Sequence, residues 1–328
     1  MSGVRCISRR TVAALAMVLF LLPGCGTSRV AFSYKQNNDV SAFQVATLNQ
    51  EIKMDAFAGA LCVGNSDVTA GTNVDLTDTA AAALFDVNGG NILYAKNLHK
   101  RLYPASLTKV LTAVVALKNT SPDDVITVTD GAKISESGAQ LCGLETGDTL
   151  TMNQALHALL INSANDAANA IAVHVAGSVE AFSEMMNEEA VSLGATNSHF
   201  VNPHGLSDDN HYTTVYDMYL IFNEAIKYEM FREIIHMERY DTVYQNSQGE
   251  EKEMSFSTTN LFLRGEISAP GKVTVIGGKT GTTNAAGNCL ILFSKDTAGN
   301  PYISVILQAK ERKIMYEQMA DILEEIYN

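Results

Sequence analysis

Residues 103–113 read Tyr-Pro-Ala-Ser-Leu-Thr-Lys-Val-Leu-Thr-Ala, and the apolar pattern that begins there runs on through Leu107, Val110, Leu111, Val114, Val115 and Leu117. Those positions cover most of a helical surface instead of one stripe, which is the signature of a helix buried on every side. Pro104 suits the start of such a helix and the segment 119–122, ending in Pro122, closes it. Ser106 and Lys109, three residues apart at its beginning, share one face. A helix of this kind needs layers around it, and the flanking sequence supplies them.

Upstream, residues 80–87 form an apolar run, Asn88-Gly89-Gly90 signals a tight turn, and residues 91–95 alternate again. Together they predict a hairpin. Downstream, helical patterns dominate residues 152–161, 166–175, 179–193 and 214–227, interrupted by a loop around Asn202-Pro203-His204-Gly205. The segment from 120 to 235 therefore reads as an all-helical insert. Strand character returns at 240–244, 273–279, 289–293 and 302–308, and residues 311–327 close the chain as a helix. The expected class is α/β in the α+β sense: one antiparallel sheet of about five strands, assembled from both ends of the chain and flanked by helices.

With 328 residues, 46% of them hydrophobic, the chain has enough material for a full core, which excludes global disorder. Its net charge of -13 disfavours nucleic acid as a partner. Arg5, Arg9 and Arg10 precede an apolar run, residues 11–22, too short to span a bilayer, so residues 1–24 read as an export signal. The signal ends in Leu22-Pro23-Gly24-Cys25, which resembles the lipobox of bacterial lipoproteins, with ordinary signal cleavage further on as the alternative. Cys25 is then the lipid anchor and residues 25–55, polar and without sustained periodicity, are a tether to a catalytic domain over 56–328. Cys62, Cys142 and Cys289 remain for the folded part. Their number and wide spacing make no disulfide framework, and they read as small buried hydrophobes, with a single bridge between two of them as the alternative.

Ser-x-x-Lys alone is weak evidence, since the pattern arises by chance about once in a chain of this length. Its chemistry is nonetheless coherent. A desolvated lysine near other cations loses basicity until it can accept the proton of a serine. A helix start also turns free N–H groups and its positive dipole end toward that serine. Two further segments carry complementary groups. Ser163-Ala164-Asn165, the only Ser-x-Asn in the chain, offers a hydroxyl to relay a proton and an amide to hold a carbonyl. Lys279-Thr280-Gly281-Thr282 follows a predicted strand, with a cation, two hydroxyls and a glycine that admits a substrate backbone.

In this order the three segments match the Ser-x-x-Lys, Ser-x-Asn and Lys-Thr-Gly set of penicillin-binding proteins and serine β-lactamases. The chain most resembles the low-molecular-mass serine-type D-alanyl-D-alanine carboxypeptidases. Segments 103–113, 159–178, 197–218 and 277–290 all look like that family. The resemblance implies an acyl-enzyme on Ser106, with Lys109 as proton acceptor and Ser163 as proton relay. It further implies that Asn165 holds the stem amide, that Lys279 orients Ser163, and that Thr280 and Thr282 lie at the terminal carboxylate, with Gly281 between them lining the substrate. The backbone N–H groups of Ser106 and Thr282 would form the oxyanion hole. Implied partners are the peptidoglycan stem peptide and β-lactams as covalent inhibitors; no cofactor, metal or nucleic acid is implied, and the membrane is reached through the lipid anchor at the outer face. Ala164 stands where these enzymes usually carry glycine, and no functional group is lost by it.

A serine β-lactamase shares the three motifs. Class A members add a Glu-x-x-Leu-Asn loop after the middle motif, whereas the one Leu-Asn here, Leu48-Asn49, precedes the nucleophile. A catalytically idle wall-binding protein of the same fold would be expected to lose Lys109 or Lys279. His199, His204 and His211 lack the spacing of a metal-ligand set and read as loop-holding residues.

Overall fold

The computed structural model describes residues 59, 61–69 and 74–327. The expected export signal, the tether and Cys25 lie outside the described residues. Five strands form the main sheet in the order β2-β1-β9-β8-β7, every pair antiparallel. They are β1 (Thr79–Asp86), β2 (Asn91–Lys96), β7 (Thr274–Thr283), β8 (Gly287–Lys295) and β9 (Pro301–Ala309). The β1–β2 hairpin expected from Asn88-Gly89-Gly90 is present, with Gly90 at φ +67.

The sheet is covered on both faces, which explains why its strands read as continuous apolar runs. Alternate residues separate the faces. Ala81, Ala83, Phe85, Ile291, Phe293, Ile303, Val305 and Leu307 belong to a core shared with most of the helices. Ala82, Leu84, Leu290, Leu292 and Ile306 pack on Met315, Tyr316, Met319, Ile322 and Leu323 of the C-terminal helix α7 (Arg312–Glu324).

Helix α1 (Thr108–Asn119) is buried continuously from Thr108 to Ala116. Around it pack α2 (Met152–Leu160), α3 (Asn165–Ala176), α4 (Val179–Ser192) and α5 (Val215–Ala225). Local chemistry starts and stops these helices. Thr151 and Gln154 make a reciprocal capping box on α2, Ser178 and Thr214 accept from the first turns of α4 and α5, and Gly177, at φ +82, ends α3. Deep burial makes α1 intolerant of truncation: Leu111→Ala would cost about 2–5 kcal/mol.

The insert is not all-helical. Short strands β3 (Val125–Thr127) and β4 (Thr149–Thr151) pair around Ile126 and Leu150. They join the hairpin β5 (Arg239–Gln245) and β6 (Glu251–Ser257) in a second sheet, order β3-β4-β5-β6. Three residues cannot display a two-residue period, so these strands are silent in sequence. The 240–244 strand accordingly belongs to this sheet and not to the main one; its alternating exposure suits a sheet with one wet face. A further short helix, α6 (Glu229–His236), also went unread.

Candidate active site

Ser106 lies in a 3-10 turn, Ala105–Leu107, immediately before α1. Ala105 adopts φ +49, a left-handed conformation that costs a non-glycine residue on the order of 1–3 kcal/mol and needs support from its surroundings. That support comes from three sides. Thr108 Oγ1 donates to the Ala105 carbonyl at 2.8 Å. Gly205, at φ +88, approaches so closely that a Cβ there would sit 1.9 Å from the same carbonyl oxygen. Opposite, a Cβ on Gly281 would lie 2.9 Å from the Ser106 nitrogen and 3.1 Å from Ala105 Cβ. Two glycines thus let a loop and the β7 strand clamp the serine turn.

His211 completes the clamp. Its Nδ1 accepts from the Val201 N–H at 3.2 Å, which leaves Nε2 as the protonated nitrogen, donating to Thr108 Oγ1 at 2.8 Å. Burial lowers its pKa to about 4 and that of His204 to about 3, so both rings are neutral at ordinary pH. His204 Nδ1 accepts from the Leu206 N–H, and the exposed ring of His199 bonds the Asn210 carbonyl. The three histidines hold their loop.

Lys109, in the first turn of α1, is fully buried. Its Nζ lies 2.9 Å from Ser106 Oγ, 2.7 Å from Asn165 Oδ1 and 2.6 Å from the His204 carbonyl oxygen. Burial, and next the charge of Lys279, push its pKa well below the usual lysine range, while Asp166 opposes them. In the neutral amine two N–H groups satisfy the amide and carbonyl oxygens, which can only accept. The remaining lone pair is then directed at the Ser106 hydroxyl.

Ser163 occupies the tight link between α2 and α3 at φ +63. Its Oγ accepts from Lys279 Nζ at 2.9 Å, and the same ammonium donates to the Thr280 carbonyl, also at 2.9 Å. Burial lowers the Lys279 pKa to about 7. Lys279 and Gly281, two apart on β7, share the strand face that meets Ser163 and the serine turn.

Two grooves, of 210 Å³ and 240 Å³, meet at Ser106, Gln140 and Thr282. The first continues past Ser163, Thr280 and Gly281 to Thr259 and Arg312; the second runs along Asn165, His204, Leu206 and Thr283. All eight candidate residues of the folded part therefore come together: Ser106, Lys109, Ser163, Asn165, Lys279, Thr280, Gly281 and Thr282. Gln140, Thr259 and Arg312 were not foreseen. Arg312 had a readable signal, since a cation in the first turn of a helix opposes the dipole and calls for another use. Its Nη2 donates to the Thr259 carbonyl at 3.0 Å, and Thr259 Oγ1 is 2.5 Å from Thr280 Oγ1.

No group of three or more potential metal ligands occurs among the described residues. Cys62, Cys142 and Cys289 are free thiols, Cys62 and Cys289 buried as expected and Cys142 half-buried.

A family model described as D-alanyl-D-alanine carboxypeptidase matches residues 68–311. The D-alanyl-D-alanine carboxypeptidase DacF of Bacillus subtilis is 33% identical over 254 residues, 74% of this chain and 61% of the relative. DacC of Escherichia coli, also named a D-alanyl-D-alanine carboxypeptidase, is 32% identical over 256 residues, 75% of this chain and 60% of the relative. The chain thus spans about three-fifths of the length of these relatives. Among solved structures, the Streptomyces K15 DD-transpeptidase superposes with a TM-score of 0.71 at 26% identity, covering 77% of this chain and 98% of that one.

Proposed function

We propose, since the chain belongs to the D-alanyl-D-alanine carboxypeptidase family, that it removes the terminal D-alanine from peptidoglycan pentapeptide stems through an acyl-enzyme on Ser106. The observation that carries this is the wiring of Lys109: a fully buried amine with Nζ 2.9 Å from Ser106 Oγ and its other two contacts on oxygens that can only accept. Ser106 gives its proton to Lys109 Nζ as Oγ attacks the carbonyl between the two D-alanines. Negative charge developing on that oxygen is met by the backbone N–H groups of Ser106 and Thr282. The C–N bond then breaks, and the leaving amine takes the proton from Lys109, with Ser163 as relay under the orientation of Lys279. Water, activated by the same Lys109, adds to the ester and releases the shortened stem.

Along the first groove, Thr280, Thr282 and the Arg312 guanidinium suit the carboxylate of the departing D-alanine; Asn165 in the second suits the stem amide. β-Lactams would acylate the same serine and leave slowly. The catalytic domain over 56–328 acts outside the cytoplasmic membrane, held at its outer face by a lipid on Cys25 through the 25–55 tether. Labelling with a fatty-acid probe that survives Cys25→Ser would refute the anchor.

The test is D-alanine release from a synthetic pentapeptide ending in D-Ala-D-Ala, with and without an amine acceptor. Release without the acceptor is expected, abolished by Ser106→Ala. Product formed only with the acceptor would favour transfer, the activity in the name of the K15 structure. Release by the Ser106→Ala variant at the wild-type rate would overturn the proposal.

A further inference from the structure

Next to Asn165, at the start of α3, Asp166 is 4% exposed and carries more hydrogen bonds than its place in the helix requires. Its Oδ1 accepts from the N–H groups of Cys142 and Ala167, each at 3.0 Å. Its Oδ2 accepts from Gly143 at 2.8 Å and from Cys142 and Leu144, each at 3.1 Å. The Cys142 thiol adds a contact to Oδ1 at 3.3 Å. Three consecutive backbone amides of a distant loop are thus gathered onto one carboxylate, an anion nest filled by a side chain of the same chain.

The gathered loop is a wall of the second groove, to which Gly138, Ala139 and Gln140 contribute. Its remaining ties run to the same segment of chain. The Asn165 N–H donates to the Gln140 carbonyl at 2.8 Å, and Gln140 Nε2 donates to Asn162 Oδ1 at 3.0 Å. Gly138, at φ +79, and Gly143, at φ +85, bound the wall, and a Cβ on either would meet no atom within 4 Å. Cys142 and Leu144 pack against the core, and the hydrogen bonds that fix the wall converge on Asp166 and the neighbours of Asp166.

The same carboxylate belongs to the residue after Asn165, whose Oδ1 lies 2.7 Å from Lys109 Nζ, and its charge acts on that amine. Charged and titratable groups act on Lys109 from three directions: Lys279 from β7, His204 and His211 from the loop before α5, and Asp166 from α3. The two histidines are neutral, so Lys279 is the cation and Asp166 the anion of this set. A base that is too weak cannot take the serine proton, and an anion at this place preserves basicity that burial and Lys279 remove.

We propose that Asp166 is a positioning residue for the reaction, fixing the Gly138–Leu144 wall of the acyl-side groove and balancing the field of Lys279 at Lys109. The inference rests on acylation of Ser106 as proposed above. Its test measures the second-order rate at which a fluorescent penicillin acylates Ser106 across a pH series, for the wild type, Asp166→Asn and Gly143→Ala, with thermal melts of each. Asp166→Asn is expected to lower the rate roughly tenfold to a hundredfold. It should also move the acid limb to lower pH, because loss of the anion lowers the Lys109 pKa further. Gly143→Ala strains the wall at a left-handed position but keeps the charge, so the rate should fall with the acid limb in place.

A folded Asp166→Asn protein with the wild-type rate and acid limb would overturn the inference, as would a reduced rate with no movement of the limb, which a purely structural role predicts. Should that variant not fold, a wild-type rate in Gly143→Ala would overturn it. Absence of any adduct in the wild type would refute acylation itself and the inference with it.

Discussion

Two fully buried lysines reach the same centre from different supports, and their wiring differs. Lys109 stands on a helix and meets Ser106 Oγ together with two oxygens that can only accept. Lys279 stands on an edge strand of the main sheet and meets a serine hydroxyl and one carbonyl. Burial weakens both as bases, but only Lys109 is weakened further by its partner's charge. Two lysines in one water-poor site cannot both hold a proton cheaply. In the proposed mechanism the helix-borne amine is the neutral proton acceptor and the strand-borne one is the cation that orients hydroxyls.

The largest expected break in this comparison is Lys109→Gln, which keeps hydrogen-bonding capacity but removes the base. D-alanine release should fall by between about 10² and 10⁴, and a steady-state assay showing less than a tenfold loss would reverse the two roles.

Second is an effect on stability confined to the Lys109 side, where His204 and His211 pack. The folded-state pKa of His211, about 4, lies below its ordinary 6.5, so the unfolded chain binds the extra proton first. Stability contributed by the neutral ring is present above the ordinary value and is lost as pH falls from 6.5 toward 4. His211 should contribute on the order of 3 kcal/mol of the loss, beside the share of His204, read as a drop in melting temperature over that window. His211→Gln should make the drop shallower; an equally steep fall in the variant would assign it elsewhere.

Smaller again is Lys279→Gln, for which a rate loss of roughly tenfold to a hundredfold is expected. Its diagnostic is the pH profile. Removing the second cation raises the Lys109 pKa, so the acid limb of acylation should move to higher pH, opposite to the shift expected for Asp166→Asn. An unmoved limb would mean that the two lysines do not sense one another.

Residue chemistry alone left Ser106 an ordinary helix-start serine; what identified it was its order with Ser163, Asn165 and Lys279, a resemblance more than a derivation. The main sheet and the long helices were legible because their periods extend over many residues. The β3 and β4 strands were not, at three residues each, and neither was the wall formed by Gly138, Ala139 and Gln140, which runs on into three amides gathered on a distant Asp166. Thr259 and Arg312 likewise enter the groove through contacts with each other and with Thr280 that no local pattern announces. Arg312 could have been suspected from its place against the helix dipole.

The most direct measurement is peptide-resolved mass spectrometry of the protein after brief exposure to penicillin, followed through time. A single adduct on the peptide containing Ser106, persisting for minutes and absent from Ser106→Ala, is the expected result. An adduct on another residue, no adduct, or rapid release with multiple turnovers of penicillin would contradict the assignment of Ser106 as the nucleophile of a slowly deacylating D-alanyl-D-alanine carboxypeptidase.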